Sequence, residues 1–271
     1  MKLGDLSVNR LGFGAMRVLG NADIWGPPTD PVNARKVLRR AYELGANFFD
    51  TAESYGPHTD EMVIAEAMHP YPKDLVIGTK CGLVRPRPSR WDEDGRPEKL
   101  RKDLEGSLKR LKLDCLHLWQ LHAPDPKVPF EESVGVLAEA QRQGKVRQVG
   151  LSNVSVRQLE QACKIVPIVS VQNRYNIGDR HSEDVLKACE KLGISFLPWY
   201  PLGDGAALRN SKIRSLSKKL NATPAQVALA WLLAKSPVML PIPGTSSVAH
   251  LEENMRATFV RLNDEDMASL R

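Results

Sequence analysis

The sequence predicts an α/β fold, a (β/α)8 TIM barrel preceded by a short N-terminal β-hairpin. Short apolar runs of strand type alternate with amphipathic helical stretches from one end of the chain to the other, and eight such pairs can be counted. No long linker and no change of composition divides the 271 residues. We therefore expect residues 1–271 to form a single barrel domain, for which this length is ordinary.

The eight candidate strands are short and apolar, as expected for parallel strands that are buried on both faces. They span residues 12–16, 47–50, 75–79, 115–121, 146–150, 169–172, 195–198 and 239–242. Ahead of them, residues 2–11 are predicted to form a hairpin across the floor of the barrel. Residues 84–96 are rich in proline and arginine, and are predicted to form a long loop on the face where the strands end.

Helical segments lie between the strands, with apolar residues recurring every three or four positions. They include residues 32–44, 97–111, 131–143, 156–164, 183–192 and 224–234, and a short segment at 264–270. Gly45, Gly144 and Gly193 follow three of these segments as C-terminal stops, and Thr223 before Pro224 is typical of a helix start.

An open, doubly wound sheet is the alternative architecture. Its dinucleotide-binding form carries GxGxxG after the first strand, whereas this chain has GFGAM there, with two glycines and no third. The closed barrel is therefore favoured.

Composition limits the classes of partner. Lys and Arg exceed Asp and Glu by six, but they are spread along the chain, which indicates a scattered basic surface and argues against nucleic-acid binding. The four cysteines form no CxxC pair, so neither a metal site nor a disulfide framework is predicted.

No targeting or membrane segment is predicted. The N-terminus lacks the apolar core of a signal peptide, and no apolar run reaches the ~20 residues that cross a bilayer. We expect a cytoplasmic protein that acts on a small molecule, as a monomer or weak homo-oligomer, without a nucleic-acid or membrane partner.

Polar side chains close three neighbouring strands. NFFD ends at Asp50, LVIGTK ends at Lys80 and LHLWQLH ends at His122, and Tyr55 lies in the loop just after Asp50. In a parallel barrel the carboxyl ends of the strands meet at one mouth, where catalytic groups gather. Each residue alone has an ordinary explanation as a cap, a surface group or a buried hydrogen-bonding partner. Four ionisable groups at one mouth favour an active site.

In these and other segments the chain resembles the aldo-keto reductase family. The resemblance rests on DTAESYG, GTK, LHAPD, VGLSNV, VQNRYN and IPGTSSVAHLEEN, in the family's order and over essentially the whole chain. It implies that Asp50, Tyr55, Lys80 and His122 form a catalytic tetrad. It further implies reduction of a carbonyl by NADPH, with small aldehydes as the expected substrate class.

The implied roles agree with elementary chemistry. Hydride addition to a carbonyl carbon places negative charge on oxygen, where a proton donor lowers the barrier. A free tyrosine has a pKa of about 10, and we expect the Lys80 cation to lower the pKa of Tyr55 toward neutral pH. Asp50 is expected to pair with Lys80, and His122 to orient the substrate carbonyl or share in proton transfer.

The resemblance also implies a set of cofactor contacts at later strand ends. Ser152, Asn153 and Gln172 are expected to hold the nicotinamide carboxamide, and Tyr200 to stack on its ring. Other contacts are expected from Pro201, Leu202, Gly203 and Ile242, from Gly244, Thr245, Ser246 and Ser247 at the start of a helix where phosphate is favoured, and from Glu253 and Asn254.

The chain departs from many relatives at the phosphate-binding segment. Where those carry a lysine after IP and an arginine six positions later, this chain has Gly244 and His250. Two charge-assisted contacts that favour a phosphate over a hydroxyl are thereby lost, so NAD(H) use is possible beside NADP(H). A lysine introduced at position 244 is expected to raise the preference for NADPH.

The substrate pocket is predicted to be open or shallow and lined by Trp25, Tyr55, Trp91, His122 and Trp199. Two other functions stay open. A barrel lyase would form a Schiff base on Lys80, and a cofactor-sensing regulatory subunit would bind NADPH but turn over slowly.

Overall fold

The computed structural model describes residues 1–270, apart from the side chains of residues 204 and 207. Its strands are β1 (Lys2–Leu3), β2 (Leu6–Ser7), β3 (Phe13–Gly14), β4 (Phe48–Asp50), β5 (Val76–Cys81), β6 (Leu83–Val84), β7 (Asp92–Glu93), β8 (Leu116–Leu121), β9 (Val146–Ser152), β10 (Ile168–Arg174) and β11 (Ser195–Trp199). Its α-helices are α1 (Pro31–Glu43), α2 (Thr59–Met68), α3 (Pro97–Leu111), α4 (Phe130–Arg142), α5 (Val156–Cys163), α6 (Glu183–Leu192), α7 (Ala206–Arg209), α8 (Ser211–Lys219), α9 (Pro224–Lys235), α10 (Val248–Met255) and α11 (Asp264–Ser269).

Seven parallel strands form one curled sheet in the order β3-β4-β5-β8-β9-β10-β11. The segment after α9 closes it into a barrel. On one side the Leu240 amide donates to the Phe196 carbonyl of β11 over 2.8 Å. On the other side the Gly12 amide donates to the Pro241 carbonyl over 3.0 Å. The predicted (β/α)8 barrel is confirmed.

The closing segment is not the regular strand that was predicted for residues 239–242. It makes a single β-bridge, between Met239 and Phe196, and its carbonyls at Pro241 and Pro243 accept from the Gly12 and Gly14 amides. Because proline has no N–H, these two positions cannot donate a ladder hydrogen bond in return.

Other element boundaries also differ from the predicted ones. The first strand covers Phe13–Gly14 only, because a 3-10 helix, Ala15–Leu19, follows it directly. The antiparallel pair β6 and β7 takes up part of the predicted loop 84–96, with Val84 opposite Asp92. Helix α2 was not among the predicted helical segments. It begins four residues after Tyr55 and packs against α1 and α3.

The predicted N-terminal hairpin is confirmed as β1 and β2. Leu3, Leu6 and Val8 pack into one buried cluster with the apolar side chains inside the barrel, among them Phe48 and Leu118. The Ser195 hydroxyl at the start of β11 donates to the Lys2 carbonyl over 3.1 Å. The hairpin therefore plugs the end of the barrel at which the strands begin.

The helix ends agree with their sequence signals. Thr223 caps α9 in a capping box with Gln226, and Pro224 occupies the first turn. Gly193 ends α6 in the left-handed conformation that a C-terminal glycine tolerates. These caps satisfy backbone groups at the helix ends and fix where each helix returns the chain to the sheet.

Within residues 1–270, no helix combines the length and apolar character needed to span a membrane. The same residues contain no His, Cys, Asp and Glu cluster that suits a metal ion. All four cysteines carry free thiols.

Candidate active site

The barrel brings the four predicted catalytic residues to one mouth. Asp50 is the last residue of β4, and Lys80 is the penultimate residue of β5. His122 directly follows β8, and Tyr55 lies in the loop between β4 and α2. Since these strands are parallel neighbours in the sheet, their carboxyl ends place the side chains side by side.

Lys80 is the centre of the site and is fully buried. Its ammonium donates to Asp50 Oδ2 over 2.8 Å, to the Thr51 carbonyl over 2.8 Å and to the Tyr55 hydroxyl over 3.4 Å. An ammonium has three N–H donors, so each one has an acceptor. The lysine is thereby held in one orientation with its charge directed at the Tyr55 oxygen.

The Tyr55 phenol is held in its protonated form. Burial raises the pKa of Tyr55 well above its usual value, and the negative charges of Asp50 and Asp60 raise it further. The expectation that the pKa of Tyr55 is lowered toward neutral pH is wrong for this structure, because burial of the hydroxyl and the nearby carboxylates raise it. A protonated phenol suits proton donation at neutral pH.

His122 is a neutral imidazole. Burial, with a smaller contribution from the Lys80 charge, lowers the pKa of His122 well below its usual value. Its Nδ1 lies 3.4 Å from the Ser54 hydroxyl, and its ring meets the Tyr55 ring edge to face at 5.8 Å between centroids. Neutral His122 and protonated Tyr55 thus present two hydrogen-bonding groups to the same space.

Amide and hydroxyl side chains of β9, of the residue that follows it and of β10 hold Asp50 and His122 in place. Gln172 Nε2 donates to Asp50 Oδ1 over 2.8 Å, and the Ser152 hydroxyl donates to the Gln172 carbonyl over 2.7 Å. Asn153 Nδ2 donates to the His122 carbonyl over 2.9 Å. The amide nitrogens of Gln172 and Asn153 therefore position Asp50 and His122, which was not predicted from the sequence.

A cavity of about 810 Å³ opens over the site. Most of the predicted site residues line it: Asp50, Tyr55, Trp91, His122, Ser152, Asn153, Gln172, Trp199, Tyr200, Pro201, Leu202, Ile242 and Gly244. Lys80 lies behind this surface. The cavity lining does not include Trp25, Gly203, Thr245, Ser246, Ser247, Glu253 or Asn254. The last five follow Gly244 along the chain, at and beyond the start of α10.

Two walls of the cavity carry backbone in the left-handed region. Asn153 has φ of 56° and Tyr200 has φ of 52°, which is unusual for a bulky side chain such as tyrosine. The Tyr200 carbonyl accepts from Asn176 Nδ2 over 3.1 Å and from the Gly203 amide over 2.9 Å. These bonds stabilise a conformation that aims the Tyr200 ring at the cavity.

Two glycines, Gly14 and Gly244, meet at one end of the cavity. A Cβ at Gly244 would collide with the Gly14 carbonyl oxygen, so the two backbones approach too closely for any side chain at position 244. The lysine substitution considered for this position would therefore displace the barrel backbone. A changed cofactor preference in a Gly244→Lys variant would therefore reflect the displaced backbone as well as the added charge.

The segment after Gly244 is rigidly hydrogen-bonded. The Ser247 hydroxyl caps α10 by accepting from the His250 amide, and the Thr245 hydroxyl accepts from the Ser247 amide over 3.0 Å. Asn33 of α1 donates to the Ser246 carbonyl over 2.7 Å. Hydroxyl groups and the start of a helix thus lie next to the Gly244 end of the cavity.

Sequence reasoning missed the wall formed by the loops after β3 and β5. Met16, Arg17, Asp23, Ile24, Leu83, Ser89 and Glu93 line the cavity. The buried Arg85 guanidinium lies 3.7 Å from the centroid of the Trp91 ring and 5.5 Å from that of Trp25. It also donates to the Ile24 and Asp23 carbonyls, which ties the two loops together. The arginine content of residues 84–96 was the available signal.

The chain is similar to known proteins over nearly its whole length. The model of the Aldo/keto reductase family matches residues 10–271. An uncharacterized oxidoreductase of Schizosaccharomyces pombe is 47% identical over 271 residues, which cover 100% of this chain and 88% of that protein. Pyridoxine 4-dehydrogenase of Escherichia coli is 45% identical, with 99% of this chain and 96% of that protein covered.

Solved structures give the same result. A thermostable aldo-keto reductase in complex with the inhibitor epalrestat superposes with a TM-score of 0.87 at 34% identity, covering 100% of this chain and 97% of that one. An aldo-keto reductase from Klebsiella pneumoniae in complex with NADPH has a TM-score of 0.81, with 97% and 90% covered, and at 24% identity it shares the fold.

Proposed function

Since the chain belongs to the aldo/keto reductase family, we propose that it is an NADP-dependent oxidoreductase that reduces aldehydes to alcohols, with Tyr55 as the general acid. One observation carries the proposal. The Tyr55 hydroxyl lies 3.4 Å from the buried Lys80 ammonium, at the inner surface of a cavity that extends to Gly244. A protonated phenol backed by a fixed cation is the arrangement that proton donation to a developing alkoxide needs.

The residues around the cavity fit a nicotinamide dinucleotide. Ser152, Asn153 and Gln172 present amide and hydroxyl groups beside the tetrad, and Tyr200 presents an aromatic ring. Gly14 and Gly244 also line the cavity, and their backbones lie too close together for a side chain at position 244. We assign the phosphate end to residues 244–247, where hydroxyls precede α10.

The proposed chemistry divides between cofactor and protein. A bound reduced nicotinamide would supply the hydride that the carbonyl carbon receives. His122 donates a hydrogen bond that orients the carbonyl oxygen, and Tyr55 gives its proton to that oxygen as charge develops. Lys80 stabilises the phenolate that remains, while Asp50 keeps the lysine charged, although burial itself lowers the pKa of Lys80.

Aromatic aldehydes suit the substrate end of the cavity. Tyr55, Trp91 and His122 form a cluster of three rings, with centroids 5.8 to 6.5 Å apart. Trp199 lines the same cavity, and its indole N–H donates to Asn153 over 3.0 Å. The 45% identity to a pyridoxine 4-dehydrogenase makes pyridoxal the first aldehyde to assay.

The Schiff-base alternative is disfavoured by the position of Lys80. Its amine is fully buried, bonded to Asp50 and Thr51, and outside the cavity surface. A Schiff base requires a neutral amine that a carbonyl carbon can reach.

The function is tested by following NADPH absorbance with a panel of aldehydes that includes pyridoxal, benzaldehyde and a short aliphatic aldehyde. We expect NADPH consumption matched by alcohol formation, and no Lys80 adduct after borohydride treatment. Binding of NADPH without consumption by any aldehyde or ketone would contradict the proposal and would instead support a cofactor-sensing role. A borohydride-trapped Lys80 would support the lyase.

His250 offers a clean test of the phosphate end. It is exposed on the first turns of α10, so His250→Arg adds a charge without a steric cost, unlike any substitution at Gly244. We expect Kd for NADPH to fall by about threefold to tenfold while Kd for NADH stays unchanged. Fluorescence titration measures both constants. His181→Arg, at an exposed histidine outside the cavity lining, is the matched control. An equal change for both cofactors would place the 2′-phosphate elsewhere.

A further inference from the structure

A second buried carboxylate lies behind the tetrad. Asp60, in the first turn of α2, is fully buried and accepts from the Thr51 hydroxyl over 2.6 Å. Its backbone amide donates to the Tyr55 carbonyl over 3.3 Å. The other carboxylate oxygen, Oδ1, has no hydrogen-bond partner among residues 1–270. A buried carboxylate oxygen without a partner is costly, and its presence calls for a functional reason.

Thr51 connects this carboxylate to the catalytic lysine. Its hydroxyl donates to Asp60, while its carbonyl accepts from the Lys80 ammonium over 2.8 Å. Its amide donates to the Gly78 carbonyl of β5 over 2.8 Å, which fixes the residue against the sheet. Lys80 therefore lies near two carboxylates. It contacts Asp50 directly and is linked to Asp60 through Thr51.

Charged and titratable groups face Asp60 from each neighbouring element. They are Asp50 of β4, Tyr55 of the following loop, Lys80 of β5, and Glu61 of α2 with its partner Arg110 of α3. Arg35 pairs with Glu66 and Arg39 with the Ala67 carbonyl, farther along α2, and Arg17 lines the cavity. Lys80 is thus the cation that acts on Asp60 most directly.

Burial dominates the titration of Asp60. It raises the pKa of Asp60 to about 7, against the lowering effects of the Thr51 hydrogen bond and the Lys80 charge. Ionised Asp60 in turn raises the pKa of Tyr55. The carboxylate therefore changes charge in the pH range where the enzyme would work.

We propose that Asp60 is a positioning residue for proton donation by Tyr55, because it holds Thr51 against Lys80 and its charge sets how readily the phenol releases a proton. The proposal rests on the proposed function. In the step concerned, the Tyr55 O–H bond breaks and an O–H bond forms on the substrate oxygen. Hydride from the reduced nicotinamide forms the new C–H bond, so the carbonyl is reduced and the cofactor oxidised.

The direction of the pH effect follows from charge. Transfer of the Tyr55 proton leaves a phenolate, and an ionised Asp60 nearby opposes that negative charge. Protonated Asp60 does not. Reduction is therefore expected to slow as pH rises through about 7, where Asp60 loses its proton.

The test is the pH dependence of single-turnover reduction by the full chain in Asp60→Asn. The amide oxygen keeps the acceptor for Thr51 and the charge is removed. In the parent protein we expect the rate to fall by about threefold to tenfold between about pH 6 and pH 8. In the variant it is expected to stay flat over that range. The tyrosinate absorbance of the cofactor-free protein, with Tyr55→Phe subtracted, is expected to appear at lower pH in Asp60→Asn.

Thr51→Val gives a second test that retains Asp60. Loss of the hydrogen bond raises the pKa of Asp60, so the midpoint of the profile is expected to move to higher pH. This shift distinguishes Asp60 from Glu53, a carboxylate whose pKa is raised by burial to about 8. Glu53 faces Lys99 and His58 instead of Thr51. Glu66→Gln, at an exposed carboxylate of the same helix, is the matched control.

The outcomes separate the two proposals. If the parent reduces no aldehyde at any pH, the proposed function fails. If the parent turns over but Asp60→Asn keeps the same pH profile, or Thr51→Val leaves the midpoint in place, the role of Asp60 is overturned.

Discussion

Tyr55→Phe is expected to lower the single-turnover rate of aldehyde reduction by about 10²- to 10⁴-fold while leaving Kd for NADPH within about twofold of the parent value. The phenol is the proton donor, and the hydroxyl is the single group removed. The ring keeps its edge-to-face contacts with Trp91 and His122. Stopped-flow absorbance measures the rate, and fluorescence titration measures Kd.

Tyr42→Phe is the matched control for this prediction. The Tyr42 hydroxyl donates to the Asp74 carboxylate at the protein surface, outside the cavity lining. We expect its rate and Kd to equal those of the parent. Comparable reduction by Tyr55→Phe would remove Tyr55 as the acid.

Lys80→Met is expected to abolish reduction and also to lower the free energy of unfolding by about 3–5 kcal/mol. Lys80 and Asp50 have side chains that are 0% and 4% exposed, so removal of the cation leaves a buried carboxylate without its counter-charge. Urea denaturation, followed by far-UV circular dichroism, measures the stability change.

The double variant Lys80→Met/Asp50→Asn separates stability from catalysis. Removing both charges is expected to recover a large part of the lost free energy, because no unpaired charge stays buried, while reduction stays absent. If Lys80→Met alone unfolds at the same urea concentration as the parent, the ion pair contributes no net stability. If it still reduces aldehydes, the lysine has no place in the mechanism.

The meeting of Asp50, Lys80 and His122 at one mouth could be predicted from the sequence because strand ends are local features. An apolar run that stops at Asp50, Lys80 or His122 marks a carboxyl end, and parallel strands place such ends at one mouth. The direction of the Tyr55 pKa shift could not be predicted, because it depends on the burial of the hydroxyl and on Asp60, a group contributed by a helix.

Long-range contacts account for the other differences. The collision that bars a side chain at position 244 involves the carbonyl of Gly14, about 230 residues earlier in the sequence. The packing of Arg85 on Trp91, and its bonds to the loop at residues 23–24, also depend on how separate loops meet. Periodicity and turn signals contain no information about such pairs.

The joint that closes the barrel also forms part of the cavity wall, since Gly14, Ile242, Pro243 and Gly244 line it. The proline carbonyls there receive hydrogen bonds from Gly12 and Gly14 and return none from the proline nitrogens. We expect a molecule bound against this wall to stabilise the closure, because on the side of the first strand the proline nitrogens donate no hydrogen bonds. Ligand binding in the cavity and the resistance of the barrel to local opening are therefore expected to be coupled, because both depend on the backbone of residues 241–244.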